Sequence, residues 1–191
     1  MNQHGKERKV DRMKRTIRGM LVIVGLLAGG LVVLGAGGWR WDTASGASSP
    51  ELSSSATSAV LNALVGPEGE YAAYATYAAI LVEYGEVQPY ARILESEARH
   101  IEALQRTLDR YGVEYPTTNP YLGVIDAPTS LAVAAQAGVS AEQANVALYA
   151  EELAAVSAYP DVVRVFTNLQ AASLESHLPA FEQALENGGN L

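Results

Sequence analysis

The sequence predicts an all-α protein: a four-helix bundle with a long crossover between its second and third helices, preceded by an N-terminal transmembrane or signal helix. Three observations predict it. Apolar residues recur at helical spacing in four segments, no run of strand-like alternation competes with them, and a proline-bearing stretch separates the second segment from the third.

The chain opens on a basic flank. Residues 1–39 hold seven basic and two acidic side chains, net +5, while the remainder holds six basic and nineteen acidic, net −13. The basic run precedes "GMLVIVGLLAGGLVVLGAGGW", residues 19–39, which carries no charge and matches the roughly 20 apolar residues of a membrane span better than the roughly 7–15 of a signal-peptide core. Basic residues stay on the cytoplasmic side, so an anchor here places the body outside the cytoplasm. A cleaved signal ending near Ala36–Gly38 is the rival reading, and it too exports the body. Residues 40–58 are rich in Ser and Ala and read as a flexible linker, with a short helix through "AVLNAL" at its end. The bundle domain is then expected over 59–187, with 188–191 as a tail.

The first bundle helix is expected to start at Pro67 and stop at Gly85, with the stripe Glu70, Tyr74, Tyr77, Leu81, Tyr84. The second runs from about Gln88 to Tyr111, with Gly112 as C-cap and the stripe Tyr90, Leu94, Glu97, Ile101, Leu104. "VEYPTTNPYLGVIDAPTS" holds three prolines and reads as the crossover. "SLAVAAQAG" reads as a short extra helix, and Ser140 with Gln143 as a capping box opening the third bundle helix, whose stripe is Glu142, Val146, Tyr149, Leu153, Val156. Pro160 ends that helix. The fourth spans about Asp161 to Leu185, and Pro179 within it cannot donate to the Glu175 carbonyl, so a kink is expected just past His177.

The two halves of the body match. "EYAAYATY" and "EQANVALY" each place a Glu seven residues before a Tyr, and "SEARHIEAL" and "SLESHLPAF" align His100 with His177 and Glu97 with Leu174. The common order, a Glu-bearing helix followed by a His-bearing helix, points to internal duplication.

Each bundle helix thus carries an ionisable residue on its apolar stripe: Glu70, then Glu97 with His100, then Glu142, then His177. Burying a lone carboxylate is costly unless it is paired or bound to a metal. Glu-x-x-His puts both groups on one helical face, and carboxylates with neutral imidazoles suit iron, manganese or zinc. A di-iron or di-manganese bundle takes one Glu from each of two helices and Glu-x-x-His from each of the other two. Five of those six positions are filled here. Leu174 stands where the sixth ligand would be, so one or two ions are expected, the second only by sharing Glu97 or recruiting water. Tyr74, Tyr77, Tyr149, Asn145, Arg99 and Ser173 are candidate supports of the ligands. For the tyrosines the plainer reading is aromatic core. For the cluster as a whole it is a structural polar network of Glu–His or Glu–Arg99 pairs with tyrosine hydroxyls as partners.

Composition narrows the classes. Cysteine is absent, which removes disulfide frameworks, iron–sulfur clusters and zinc fingers. The acidic body argues against nucleic acid as partner, and an oligomer is compatible with the chain. The segments "EYAAYATYAAILVEYGEVQPYARILESEARHIEAL", "AGVSAEQANVALY" and "VFTNLQAASLESHLPAF" resemble the bacterial and archaeal ferritin-like proteins of a domain-of-unknown-function class, and more distantly ferritins and rubrerythrins. The resemblance covers residues 60–186. It implies the ferritin-like fold and a carboxylate-bridged metal centre on Glu70, Glu97, His100, Glu142 and His177. The functions it leaves open are an iron centre with ferroxidase- or peroxidase-like activity, a metal-binding module without turnover, and a non-enzymatic surface protein.

Overall fold

A computed structural model describes residues 51–191; the anchor or signal segment expected over 19–39 lies outside the described residues. The described residues are helical, with no strand among them. The helices are α1 (Ser54–Val65), α2 (Glu70–Tyr84), α3 (Tyr90–Arg110), α4 (Leu131–Glu152), α5 (Pro160–Ala172) and α6 (Leu178–Glu186), with a π-helical turn, Ser173–His177, joining α5 to α6. None of the described helices is long and apolar enough to cross a membrane.

The last residues of the expected linker are helical instead. The Ser53 hydroxyl accepts from the Ala56 amide and caps α1, whose Ala56, Ala59, Val60, Ala63 and Leu64 are buried. The serines that suggested a tether form the cap and the exposed face of an amphipathic helix. Pro67 also does not start a helix: it sits in a turn, and α2 begins at Glu70 behind Gly69. A Cβ on Gly69 would lie 2.6 Å from the Ala63 carbonyl oxygen, so the close return of the chain onto α1 requires glycine.

Side-chain bonds give the relative directions of the four long helical units. Glu70, at the start of α2, meets His100, while Tyr77 and Ile80 further along α2 share an apolar layer with Tyr90 and Ile93 at the start of α3, so α2 and α3 are antiparallel. Gln170 bonds Val146 and Ser173 bonds Asn145, so α4 and the α5–α6 unit are antiparallel. Tyr77 bonds Glu142 and Tyr149 bonds Glu70, so α2 also opposes α4. It follows that α3 and α4, consecutive in the chain, run the same way, and the connection must travel the length of the bundle. Tyrosines fix its path: Tyr71 donates to the Pro116 carbonyl near the start of α2 and Tyr84 to the Pro128 carbonyl at its end.

The third bundle helix is one continuous helix from Leu131. Its cap is Ser130, whose hydroxyl accepts from the Val133 amide, and Ser140 is an exposed residue in mid-helix, so the Ser140–Gln143 capping box does not form. Gly138, the last residue of the expected short extra helix, is an interior glycine. A Cβ there would lie 2.6 Å from the Phe181 ring, and contact with α6 accounts for the residue. The helix ends at Glu152, so Leu153 and Val156 belong to the turn that follows rather than to its stripe.

The kink at the fourth unit takes a defined form. The Leu178 amide bonds the Ser173 carbonyl five residues back, and Pro179 brings no amide to restore the ordinary register. The wider turn rotates the residues before His177. Ser173 is 2% exposed and Leu174 is 49% exposed. Leu174 therefore does not occupy the inward position that matches Glu97; Ser173 does. We expect Leu174→Glu to leave metal stoichiometry unchanged by titration and to shift stability by no more than about 0.5 kcal/mol, as for an ordinary surface substitution.

Two apolar layers flank the middle of the bundle. One joins α1 to Tyr71, Leu104, Leu108, Tyr149, Phe166 and Leu169; the other gathers Tyr77, Ile80, Tyr90, Ile93, Val139 and Phe181. The tail beyond α6 is tied down, with Tyr90 donating to the Gly189 carbonyl and the Leu191 amide to the Gln88 carbonyl.

Candidate metal centre

Between the two layers lie the only charged side chains buried among the described residues: Glu70, Glu97, Glu142, His100 and His177. All five residues expected as ligands converge. They form two groups that share one member, Glu70–Glu97–His100 and Glu97–Glu142–His177.

Glu97 is the hinge of the arrangement. Its Oε2 lies 2.9 Å from His100 Nδ1 and its Oε1 lies 3.1 Å from His177 Nδ1. Glu70 Oε2 is 3.3 Å from His100 Nδ1, and Glu142 Oε2 is 3.3 Å from His177 Nδ1. The two imidazoles face each other with ring centroids 5.5 Å apart. Each carboxylate oxygen of Glu97 therefore serves one group.

The tyrosines cross between halves. Tyr77, on the helix of Glu70, donates to Glu142 Oε1 at 2.6 Å, and Tyr149, on the helix of Glu142, donates to Glu70 Oε1 at 2.5 Å. This exchange is what a two-fold relation between the halves produces, and the seven-residue Glu-to-Tyr spacing is its trace in the sequence. Asn145 donates to the Glu68 carbonyl and lies 3.5 Å from Glu70 Oε1, while Ser173 donates to Asn145 Oδ1. The Ser173–Asn145 pair thus fills the inward space that a fourth carboxylate would need. Two expected supports lie elsewhere: Arg99 is exposed, Tyr74 is half-buried, and neither bonds a ligand. Arg99 points to solvent because it is two residues past Glu97, about 200° around the helix. Ser96, which sequence reasoning passed over, lies 3.3 Å from His100 Nε2; its place one turn before the histidine was the available signal.

The donor atoms suit a metal ion. Two ligand atoms each about 2.1 Å from one ion lie about 3.0–3.4 Å apart at octahedral or tetrahedral angles, and the separations of 2.9–3.3 Å here match that. His177 Nδ1 is buried and has no hydrogen-bond partner of acceptable geometry despite its two carboxylate neighbours. A buried nitrogen between two carboxylates with no hydrogen bond of its own is placed as a metal ligand would be.

Without metal, protons hold the cluster together. Burial and the neighbouring Glu97 charge push Glu70 up to about 7. Burial would raise Glu97 too, but hydrogen bonds involving Glu70, His100 and His177 outweigh it and keep Glu97 ionised. Burial would lower the histidines; their carboxylate partners reverse that and hold His100 at about 10 and His177 at about 9. A group with a raised value contributes stability that is complete below its ordinary value and lost as pH rises through the folded one. For Glu70 that window runs from 4.5 to about 7, and for the histidines from 6.5 to about 9–10. The depressed Glu97 contributes above its ordinary value and loses that contribution only in acid. The melting temperature of metal-free protein is therefore expected to fall from pH 6 to pH 9.5. Circular-dichroism melts in chelator check this, and a flat or rising profile would contradict it.

The tyrosine bonds give a second expectation. Hydrogen bonds to charged groups are worth about 1.5–3 kcal/mol, and loss of a ligand's supporting bond typically costs about 10–100-fold in metal affinity. Tyr149→Phe should weaken the group containing Glu70, and Tyr77→Phe the group containing Glu142. Metal titration followed by calorimetry would show one of two binding steps shifted in each variant.

The fold and the cluster define a class: an all-helical protein of four long units whose middle layer is a carboxylate–histidine cluster able to hold metal ions. Within that class the chain belongs to the family of the uncharacterized protein domain DUF2202, whose model matches residues 64–191. The crystal structure of hypothetical protein MJ0754 from Methanococcus jannaschii DSM 2661 is similar in fold, with a TM-score of 0.63 and 23% identity over 77% of this chain and 89% of that one. No curated protein matches the chain.

Proposed function

We propose that the protein is a ferritin-like metal protein whose five buried side chains hold a two-ion, carboxylate-bridged iron centre with ferroxidase- or peroxidase-like activity. The observation that carries the reading is the position of Glu97, which offers one oxygen to each of two Glu–His groups. The opposed directions of α2 against α4, with the long crossover between α3 and α4, support the ferritin-like arrangement. Iron held by these residues would supply one-electron redox chemistry. The chain's own residues do the rest. Glu97 spans the groups; His100 and His177 give up their protons as a cation enters; Glu70 releases its shared proton near neutral pH; and the Tyr77 and Tyr149 hydroxyls fix the outer carboxylate oxygens.

Anaerobic loading with Fe(II), metal analysis, and stopped-flow mixing with oxygen or hydrogen peroxide test the reading. Near two irons per chain and oxidation faster than that of free Fe(II) are expected. Two irons without turnover would leave a metal-binding module. Absence of bound metal would favour a second reading, a structural polar core, for which the 2.9 Å Glu97–His100 bond is the specific support. From the basic flank and the uncharged residues 19–39 we further propose that the body is displayed outside the cytoplasm on a membrane tether; protease accessibility in intact cells tests this.

A further inference from the structure

A cleft between α2 and α4 leads from the surface to the cluster. Glu68 stands at its exposed rim, the half-buried Ala73, Thr76, Ala141 and Ala144 form its walls, and the buried Glu97 and Glu142 lie at its floor. Tyr77, whose hydroxyl is bonded to Glu142, also lines it. The walls are open because their side chains are small: Thr76 turns its hydroxyl back onto the Ala72 carbonyl at 2.8 Å. Neither histidine nor Glu70 lines the cleft; two members of the Glu97–Glu142–His177 group do, against Glu97 alone of the other, so it approaches the group containing Glu142.

Size and charge limit what can use it. The cleft offers about 100 Å³, well below the about 300–1,000 Å³ of pockets that take drug-sized ligands. It has room for a few heavy atoms. No basic side chain lines it, and carboxylates stand at rim and floor, which disfavours anions.

We propose that this cleft is the entry path for a neutral molecule of two or three heavy atoms, the class that includes dioxygen and hydrogen peroxide, and that it delivers that molecule to the Glu97–Glu142–His177 group first. The inference rests on the metal-centre reading above. It makes Ala73 and Ala144 determinants of access that touch neither metal nor ligand.

Nitric oxide is a suitable probe, being neutral, diatomic and spectroscopically visible when bound to Fe(II). The full-length protein loaded with Fe(II) is mixed with nitric oxide in a stopped-flow spectrometer. The wild type should bind one nitric oxide per two irons in a fast phase. Ala73→Leu and Ala144→Leu should slow that phase at least tenfold with iron stoichiometry and helicity unchanged. Ala150→Leu, on the exposed face of α4, should leave the rate alone. Unchanged rates in both filled variants, or equal fast binding at both irons, would overturn the inference while leaving the metal centre standing. A wild-type protein that binds no iron would instead remove the metal-centre reading, and this inference with it. Should either leucine disturb the fold, Thr76→Ala decides: it widens the cleft and must quicken the fast phase, and a slower or unaltered rate counts against the path.

Discussion

Glu97→Ala should abolish metal binding at both groups at once. Glu70→Ala or Glu142→Ala should each remove only one binding step, because Glu97 alone belongs to both groups. The stability readout is large. A ligand specific for the folded state, present at 100 times its dissociation constant, adds about 2.7 kcal/mol. At about 4 °C per kcal/mol for a domain of this size, each ion raises the melting temperature by on the order of 10 °C. In Glu97→Ala that rise should vanish for both ions. The metal-free protein should suffer as well, since two imidazolium groups lose their shared counter-charge and breaking a buried pair costs about 3–5 kcal/mol. Calorimetric titration and thermal melts with and without chelator measure both effects. A variant that still binds two ions, or that melts at the wild-type temperature with and without metal, would refute the bridging role.

Phe181→Ala should be the most damaging single truncation in the apolar layer beside the site. The ring is fully buried, packs against Tyr77 and Tyr90 with centroids at 5.2 and 5.5 Å, and sits over Gly138. Removing it leaves a cavity that a glycine cannot fill, at a cost of about 3–5 kcal/mol. That corresponds to a melting temperature lower by roughly 10–20 °C. The loss should reach the site, because Tyr77 holds Glu142 and leans on this ring. A double-mutant cycle sharpens the test. Gly138→Ala alone should destabilise by about 1–3 kcal/mol through overpacking. In the Phe181→Ala background the same change should be neutral or stabilising, since the ring is gone and Ala favours helix over Gly by about 1 kcal/mol. Additive effects would mean that the glycine is there for some other reason.

These expectations also mark where the chain was readable. Ligand positions were legible because burying charge is expensive, so a Glu or His at an apolar-stripe position stands out without knowledge of its partner. Glu70, Glu97, His100, Glu142 and His177 all carried that signal. Supporting residues were harder. Tyr77 and Tyr149 showed as a repeated spacing, but the exchange of tyrosines between halves depends on how α2 faces α4. Arg99 was a plausible neighbour by sequence distance and is excluded by the angle around the helix.

The helical period, the proline-bearing crossover, the charge split and the five ionisable stripe residues follow from the sequence alone, because periodicity, backbone restriction and the cost of burial act locally or through composition. The starts of α1 and α4, the interior Gly138 and the inward turn of Ser173 were decided by tertiary structure. Each depends on a partner distant in the chain or on the hydrogen-bond register: α1 exists because it closes an apolar layer with Leu104 and Phe166, and Gly138 is interior because Phe181 lies over it. Leu174 faces solvent because a π-turn replaces the expected α-turn before Pro179. A spacing of three residues places two side chains together only while the backbone keeps its ordinary period, and the packed structure decides where that period breaks.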